Sequence, residues 1–175
     1  MKLNIIGIIA AILNFGSCHD VAVGFLIVDQ ASYDKDSLVV RIKLDTARGD
    51  FNPEFQKYLD FGYSYLYVRD SLNIEERVNY GADYKEYVME GRSWVSSKIE
   101  GVQGTMPVYT RIKDIESDDG DPEIMKKELK VRGDGTLILP TFIQSPVGRY
   151  WISLSFSNEG YSKDLDRIFT IIVTE

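Results

Sequence analysis

One thiol and one imidazole occur in this chain, and they are neighbours: Cys18 and His19. They follow an apolar run from Ile5 to Leu13 that is preceded by Lys2 and closed by the small pair Gly16-Ser17. A positive start, a short apolar centre and small residues before a cut describe a secretion signal. The apolar centre is too short to cross a hydrocarbon layer about 30 Å thick, which takes about 20 helical residues. A thiol placed directly behind the cut is positioned for modification, not for catalysis. With both groups at the start of the mature chain, the folded body lacks a Ser-His-Asp or Cys-His nucleophile and a His- or Cys-ligated zinc or iron site. Carboxylates acting alone, as in glycoside hydrolysis, stay formally open.

Phe15-Gly16-Ser17-Cys18 resembles a bacterial lipobox, with Phe15 standing where leucine is most common. The resemblance implies a signal peptide over residues 1–17, a diacylglyceryl thioether on Cys18, and a tether over residues 18–22. Two or three acyl chains anchor stably, because each buried CH₂ contributes about 0.8 kcal/mol and one chain alone is marginal. The expected location is the bacterial outer membrane, periplasmic or surface-facing, with Asp20 as an acid close enough to the anchor to influence sorting.

Three sets of residues in the body have types and spacing that suit recognition. Tyr63, Tyr65 and Tyr67 alternate with Ser64 and Leu66, so in an extended segment they place three phenols on one face. Exposed planar rings at that spacing are surfaces for sugar stacking, and they are equally the habit of a tyrosine-rich strand burying its rings. Trp94 follows Gly91-Arg92-Ser93 in an expected loop, where it serves either as a ligand platform or as the wedge that docks an insertion. Trp151 lies opposite in face to Tyr150 and Ile152 and is exposed if those two point inward. Asp118, Asp119 and Asp121 belong to an acidic run that offers hard oxygens to calcium but lacks the alternating order of an EF-hand. Asp121 also fits as the cap of a helix starting at Pro122-Glu123. No cofactor is expected.

The elements that would position these residues are mostly strands. Leu38, Val40, Ile42 and Leu44 alternate with Val39, Arg41 and Lys43, the period of a half-buried strand. Val21 to Val28 forms a second apolar run before it. From about residue 46 to 95 the texture turns partly helical: Asn52-Pro53-Glu54 starts a short helix with Phe55, Tyr58 and Leu59 on one face. Ser71–Tyr80 and Asp83–Glu90 are further helix candidates. Strand texture returns in Met106–Ile115, Glu128–Arg132, Thr136–Leu139, Arg149–Phe156 and Asp166–Thr174, with Gly133-Asp134-Gly135 as a hairpin turn. This predicts a single domain over residues 23–175 with an insertion at about 46–95. A net charge of −7 with no basic stripe argues against nucleic acid as a partner.

Gly133-Asp-Gly-Thr-Leu-Ile-Leu-Pro140, Pro146-Val-Gly-Arg-Tyr150 leading into an alternating strand, and Phe169-Thr-Ile-Ile-Val173 resemble the closing strands of immunoglobulin-like or cadherin-like domains in bacterial surface proteins. With the lipobox, the chain resembles lipoproteins of Bacteroidota, many of which serve glycan use or adhesion. The resemblance implies a mostly β, immunoglobulin-like or cadherin-like β-sandwich with a partly helical insertion. It implies a non-catalytic, membrane-anchored module that binds a glycan. The alternative is a structural or adhesive domain whose partner is another envelope protein.

Overall fold

The computed structural model describes residues 24–175, so the lipobox, Cys18 and the tether lie outside the described residues. The elements are β1 (Leu26–Ile27), β2 (Ser32–Tyr33), β3 (Ser37–Arg41), β4 (Asp50–Phe51), α1 (Pro53–Asp60), β5 (Arg77–Val78), β6 (Trp94–Val95), β7 (Ile99–Glu100), β8 (Gln103–Gly104), β9 (Tyr109–Ser117), α2 (Pro122–Glu128), β10 (Lys130–Val131), β11 (Leu137–Leu139), β12 (Gly148–Asn158) and β13 (Tyr161–Thr174). Two wide helical turns, Tyr67–Ser71 and Tyr84–Met89, complete a mostly β chain with some helix. Among the described residues no helix is long and apolar enough to cross a membrane.

The spine is the β12–β13 hairpin, whose alternation comes straight from residue type. Tyr150, Ile152, Leu154 and Phe156 are buried on β12, as are Phe169, Ile171 and Val173 on β13. Each such side chain contributes roughly 1.5–3 kcal/mol on burial. Antiparallel β9 flanks β12, and β3 lies parallel to β13, giving the sheet order β3-β13-β12-β9. A second sheet, β10-β11-β6, adds Leu137 and Leu139 to the same hydrophobic cluster. Short ladders pair β1 with β8, β2 with β7 and β4 with β5. Tyr33 on β2 joins the parts: its ring meets Phe169 edge-on at 4.6 Å and its hydroxyl donates to the Gly135 carbonyl.

The turn at Gly133-Asp134-Gly135 joins β10 to β11 as the sequence predicts. Gly135 adopts φ +80°, and the Asp134 carboxylate accepts from the Thr136 N–H at 3.0 Å. Asp121 caps α2, accepting from Glu123 N and Ile124 N at 3.0 and 3.2 Å. Tyr150 anchors its corner by donating to the Pro146 carbonyl at 2.7 Å and accepting from Asp121 N at 3.2 Å. Gly148 serves space: a Cβ there would lie 3.0 Å from Gly120 N, and one at Gly120 would strike the Tyr150 hydroxyl at 2.2 Å.

Several expectations are corrected. Ser71–Tyr80 is no helix; Asn73 and Asn79 take φ of 53° and 55°, and between them β5 pairs with β4. Short Asn side chains tolerate the left-handed region, and the segment has no apolar stripe to hold a helix. Asp83–Glu90 does coil, but with a wider i→i+5 bond from Glu90 N to Lys85 O. The apolar run ending at Val28 yields only the two-residue β1 among the described residues. The final strand begins at Tyr161, earlier than expected, because the charged stretch before Ile168 conceals its alternation.

Candidate functional site

The segment between β3 and β6 has a small core of its own. Asn52 caps α1 by accepting from Glu54 N at 3.0 Å, Pro53 occupies the first turn, and Phe55 is fully buried. Phe55 and Val68, both at 0% exposure, lie outside the cluster shared by the two larger sheets. Phe55 meets Phe51 and Tyr65 edge-on, at 6.2 and 5.1 Å between ring centroids.

This segment is clamped at the carboxyl end of β3. Asp83, itself buried, accepts from the Arg41 guanidinium at 2.6 Å and from the Asp45 N–H at 2.9 Å. The Asp45 N–H, and after it Arg41, hold the Asp83 carboxyl below the usual carboxylate range. A second tie is the stack of Tyr87 on Trp94, 4.8 Å between centroids.

A cleft of about 500 Å³ opens in this segment, within the usual size range of small-ligand sites. Tyr65 and Tyr80 supply its rings. Phe55 backs Tyr65, and Tyr84 stacks on Tyr80 at 5.1 Å and 16°, so each ring is fixed from one side. The Tyr65 hydroxyl donates to Glu76 at 2.9 Å, which pushes its pKa up, and Arg69 lies 5.7 Å from the Tyr65 ring centre. Lys85 stands 5.3 Å from the Tyr80 ring centre and donates to both Glu75 oxygens, at 2.8 and 3.2 Å. That contact raises the Lys85 pKa, as the Asp70 fork raises that of Arg69 and lowers that of Asp70. Met89 and Glu90 form the exposed rim. Both cations are neutralised in place, and the Glu75 and Glu76 carboxylates each already accept from a donor.

Of the sequence candidates, only Tyr65 lines this cleft. The expected three-phenol strand face does not form, because Tyr65 and Tyr67 lie on a helical turn. Tyr63 and Tyr67 instead stack on each other at 5.4 Å and 13°. Trp94 is in β6 opposite Leu139, not in a loop, and its indole N–H donates to the Thr141 carbonyl at 3.1 Å. Trp151 is half-buried on the outer face of the four-stranded sheet, with the Arg167 guanidinium 5.0 Å from its ring centre. Arg167 takes φ 50° at the β12–β13 bulge, its N–H held by Ser153 Oγ at 3.0 Å, and it pairs with Glu116. Asp118, Asp119 and Asp121 surround the cap of α2, and among the described residues no group of three or more His, Cys, Asp or Glu is placed to hold a metal ion. Arg69, Glu75, Tyr80 and Lys85 escaped sequence reasoning. The asparagines at 73 and 79 were the available signal that the chain reverses there and brings them together.

No family model matches the chain, and no curated protein sequence matches it. Among solved structures it is similar to a SusE-like surface-located polysaccharide-binding protein from the heparin utilisation locus of Bacteroides thetaiotaomicron. The likeness has 20% sequence identity and a TM-score of 0.39, and it covers 47% of this chain and 14% of that one.

Proposed function

We propose that the chain is a non-catalytic lipoprotein of the outer bacterial envelope, anchored through Cys18, whose insertion cleft binds a glycan. The carrying observation is the pair of rings, Tyr65 and Tyr80, each backed by another aromatic ring and set among polar groups that are already paired. Fixed tyrosines present large amphipathic contact area at low entropic cost. Because Arg69 and Lys85 are both neutralised by acids, the cleft suits the hydroxyls of an uncharged sugar better than a sulfate or carboxylate. The framework that carries it is read as an immunoglobulin-like β-sandwich spanning residues 23–175, with the insertion at about 46–95. Two sheets sharing one core and the Tyr150-to-Pro146 hydrogen bond support that reading.

A protein partner is the second reading, favoured by the exposure of Phe61 and Leu66 beside the Tyr63–Tyr67 stack. A glycan array separates the two. The chain is expected to bind a neutral glycan, and Tyr65→Ala and Tyr80→Ala each to weaken it about tenfold, equivalent to about 1.4 kcal/mol. Trp151→Ala is expected to leave binding intact because Arg167 occupies its ring. Binding to no glycan class, or binding that survives loss of both tyrosines, would overturn the cleft assignment.

A further inference from the structure

The end of the β12–β13 hairpin carries a set of exposed apolar and aromatic side chains that neither the core nor the cleft uses. Gly24 packs there: a Cβ on it would lie 3.4 Å from the Glu159 carbonyl and 3.6 Å from the Tyr161 ring. The Thr105 N–H donates to the Phe25 carbonyl and the Phe25 N–H to the Thr105 hydroxyl, and the Asn158 amide donates to both their carbonyls, at 2.7 and 3.0 Å. Tyr109 and Tyr161 lie opposite Ser157 and Asn158 at the last rungs of the sheet. Met106 is 77% exposed, Tyr109 56%, Phe25 48% and Tyr161 38%.

The chain itself names the surface this end faces. From Cys18 to Gly24 it advances six residues, which reach at most about 22 Å at 3.3–3.6 Å each. The acidic stretch Asp118–Glu123 is at the other end of the sheet, where Ser117 pairs with Tyr150. At the hairpin end the exposed charges nearest the turn are one acid, Glu159, and one base, Lys163. The segment that holds the cleft joins the sheet at the end away from the hairpin turn, since Arg41, which binds Asp83, pairs with Thr174 at the close of β13.

We propose that the hairpin end rests on the bilayer, with Phe25, Met106, Tyr109 and Tyr161 in the headgroup region; this depends on Cys18 being the lipid anchor. Tyrosine settles at that depth because its apolar ring and its hydroxyl are satisfied together, while Phe25 and Met106 gain by moving exposed apolar area out of water. The domain then stands on end, and the 14 residues of β13, about 45 Å at 3.3 Å each, carry the cleft away from the membrane.

The test uses the full chain with its leader, purified from membranes and reconstituted in vesicles of phosphatidylethanolamine and phosphatidylglycerol. Nitroxide labels are placed at Met106→Cys, at Tyr161→Cys, and at Ser64→Cys on the insertion. The expected result is that labels at 106 and 161 collide more with oxygen and less with an aqueous nickel complex than in the detergent-free soluble form, while the label at 64 stays aqueous. Labels that all remain aqueous on a lipidated chain, or that all enter the membrane, overturn the end-on contact. Labelling of Cys18 in the otherwise unaltered chain shows a free thiol, and overturns the anchor together with the contact that depends on it.

Discussion

Replacing Tyr33 by Phe keeps the ring against Phe169 and removes one hydroxyl, the donor to the Gly135 carbonyl. Both residues are buried, and burial, followed by the charge of Asp134, pushes the Tyr33 pKa above its ordinary range. The variant leaves a carbonyl without water or donor, and a buried unsatisfied acceptor costs about 1–3 kcal/mol. With a loss of about 2 kcal/mol and a urea m-value near 2 kcal/mol/M, the unfolding midpoint falls by about 1 M at unchanged slope. The melting temperature falls by about 4–8 °C for a domain of this size. Tyr150→Phe is the internal comparison. It removes the donor to the Pro146 carbonyl and the acceptor of the Asp121 N–H, but Pro146 is exposed and Asp121 only half-buried, so water replaces both partners and the loss is smaller, about 1 kcal/mol. Urea titrations followed by circular dichroism measure both. A Tyr33→Phe midpoint within about 0.2 M of the parent, or a larger loss at Tyr150 than at Tyr33, would refute the assignment of the Gly135 carbonyl as sealed from water.

Gly120→Ala drives a Cβ into the fully buried Tyr150 ring and hydroxyl, and destabilises by about 1–3 kcal/mol in the same titration; an unchanged midpoint would contradict the close approach. The clamp at Asp83 sets a pH dependence. Its carboxyl is depressed in the folded chain, so its stabilisation is present above the ordinary carboxylate pKa of about 3.9 and is lost as pH falls through the lower folded value. Amide exchange is therefore expected to show residues 45–93 opening below about pH 4 before β9, β12 and β13, whereas simultaneous opening would show that the clamp does not hold the insertion. Trp94→Ala removes the stack on Tyr87 and the bond to Thr141, and exchange in Tyr84–Met89 is expected to rise more than exchange in β12.

The strands with clean alternation were legible because one rule, apolar in and polar out, is local. Tyr150, Ile152, Leu154 and Phe156 declare β12, and Asp121 before Pro122 declares the start of α2. The segment from Thr46 to Ser93 was legible only as a change of texture. Its tyrosines invite an extended reading, yet Val68 is drawn into a core with Phe55, and that tertiary contact coils the segment. The cleft was the least visible part. Tyr65 joins Glu76, and Lys85 joins Glu75, only because the chain doubles back through left-handed Asn73 and Asn79, so no short window contains the constellation. Trp94 and Trp151 attract attention as rare residues, but the structure gives their rings Tyr87 and Arg167 as partners.

The parallel pairing of β3 with β13 bears on how the domain carries mechanical load. Tension entering from the amino-terminal side through β3 and leaving at the carboxyl end of β13 runs along both strands in opposite senses. The rungs from Ser37–Thr170 to Arg41–Thr174 are therefore strained in shear and have to yield together, unlike a zipper opened one bond at a time. Resistance of that kind is governed by the unfolding rate and not by equilibrium stability. Pulled between its amino-terminal side and its carboxyl end, the chain would keep its spine closed against brief loads, and the segment between β3 and β6, tied on by Asp83 and Trp94, would be the part free to give.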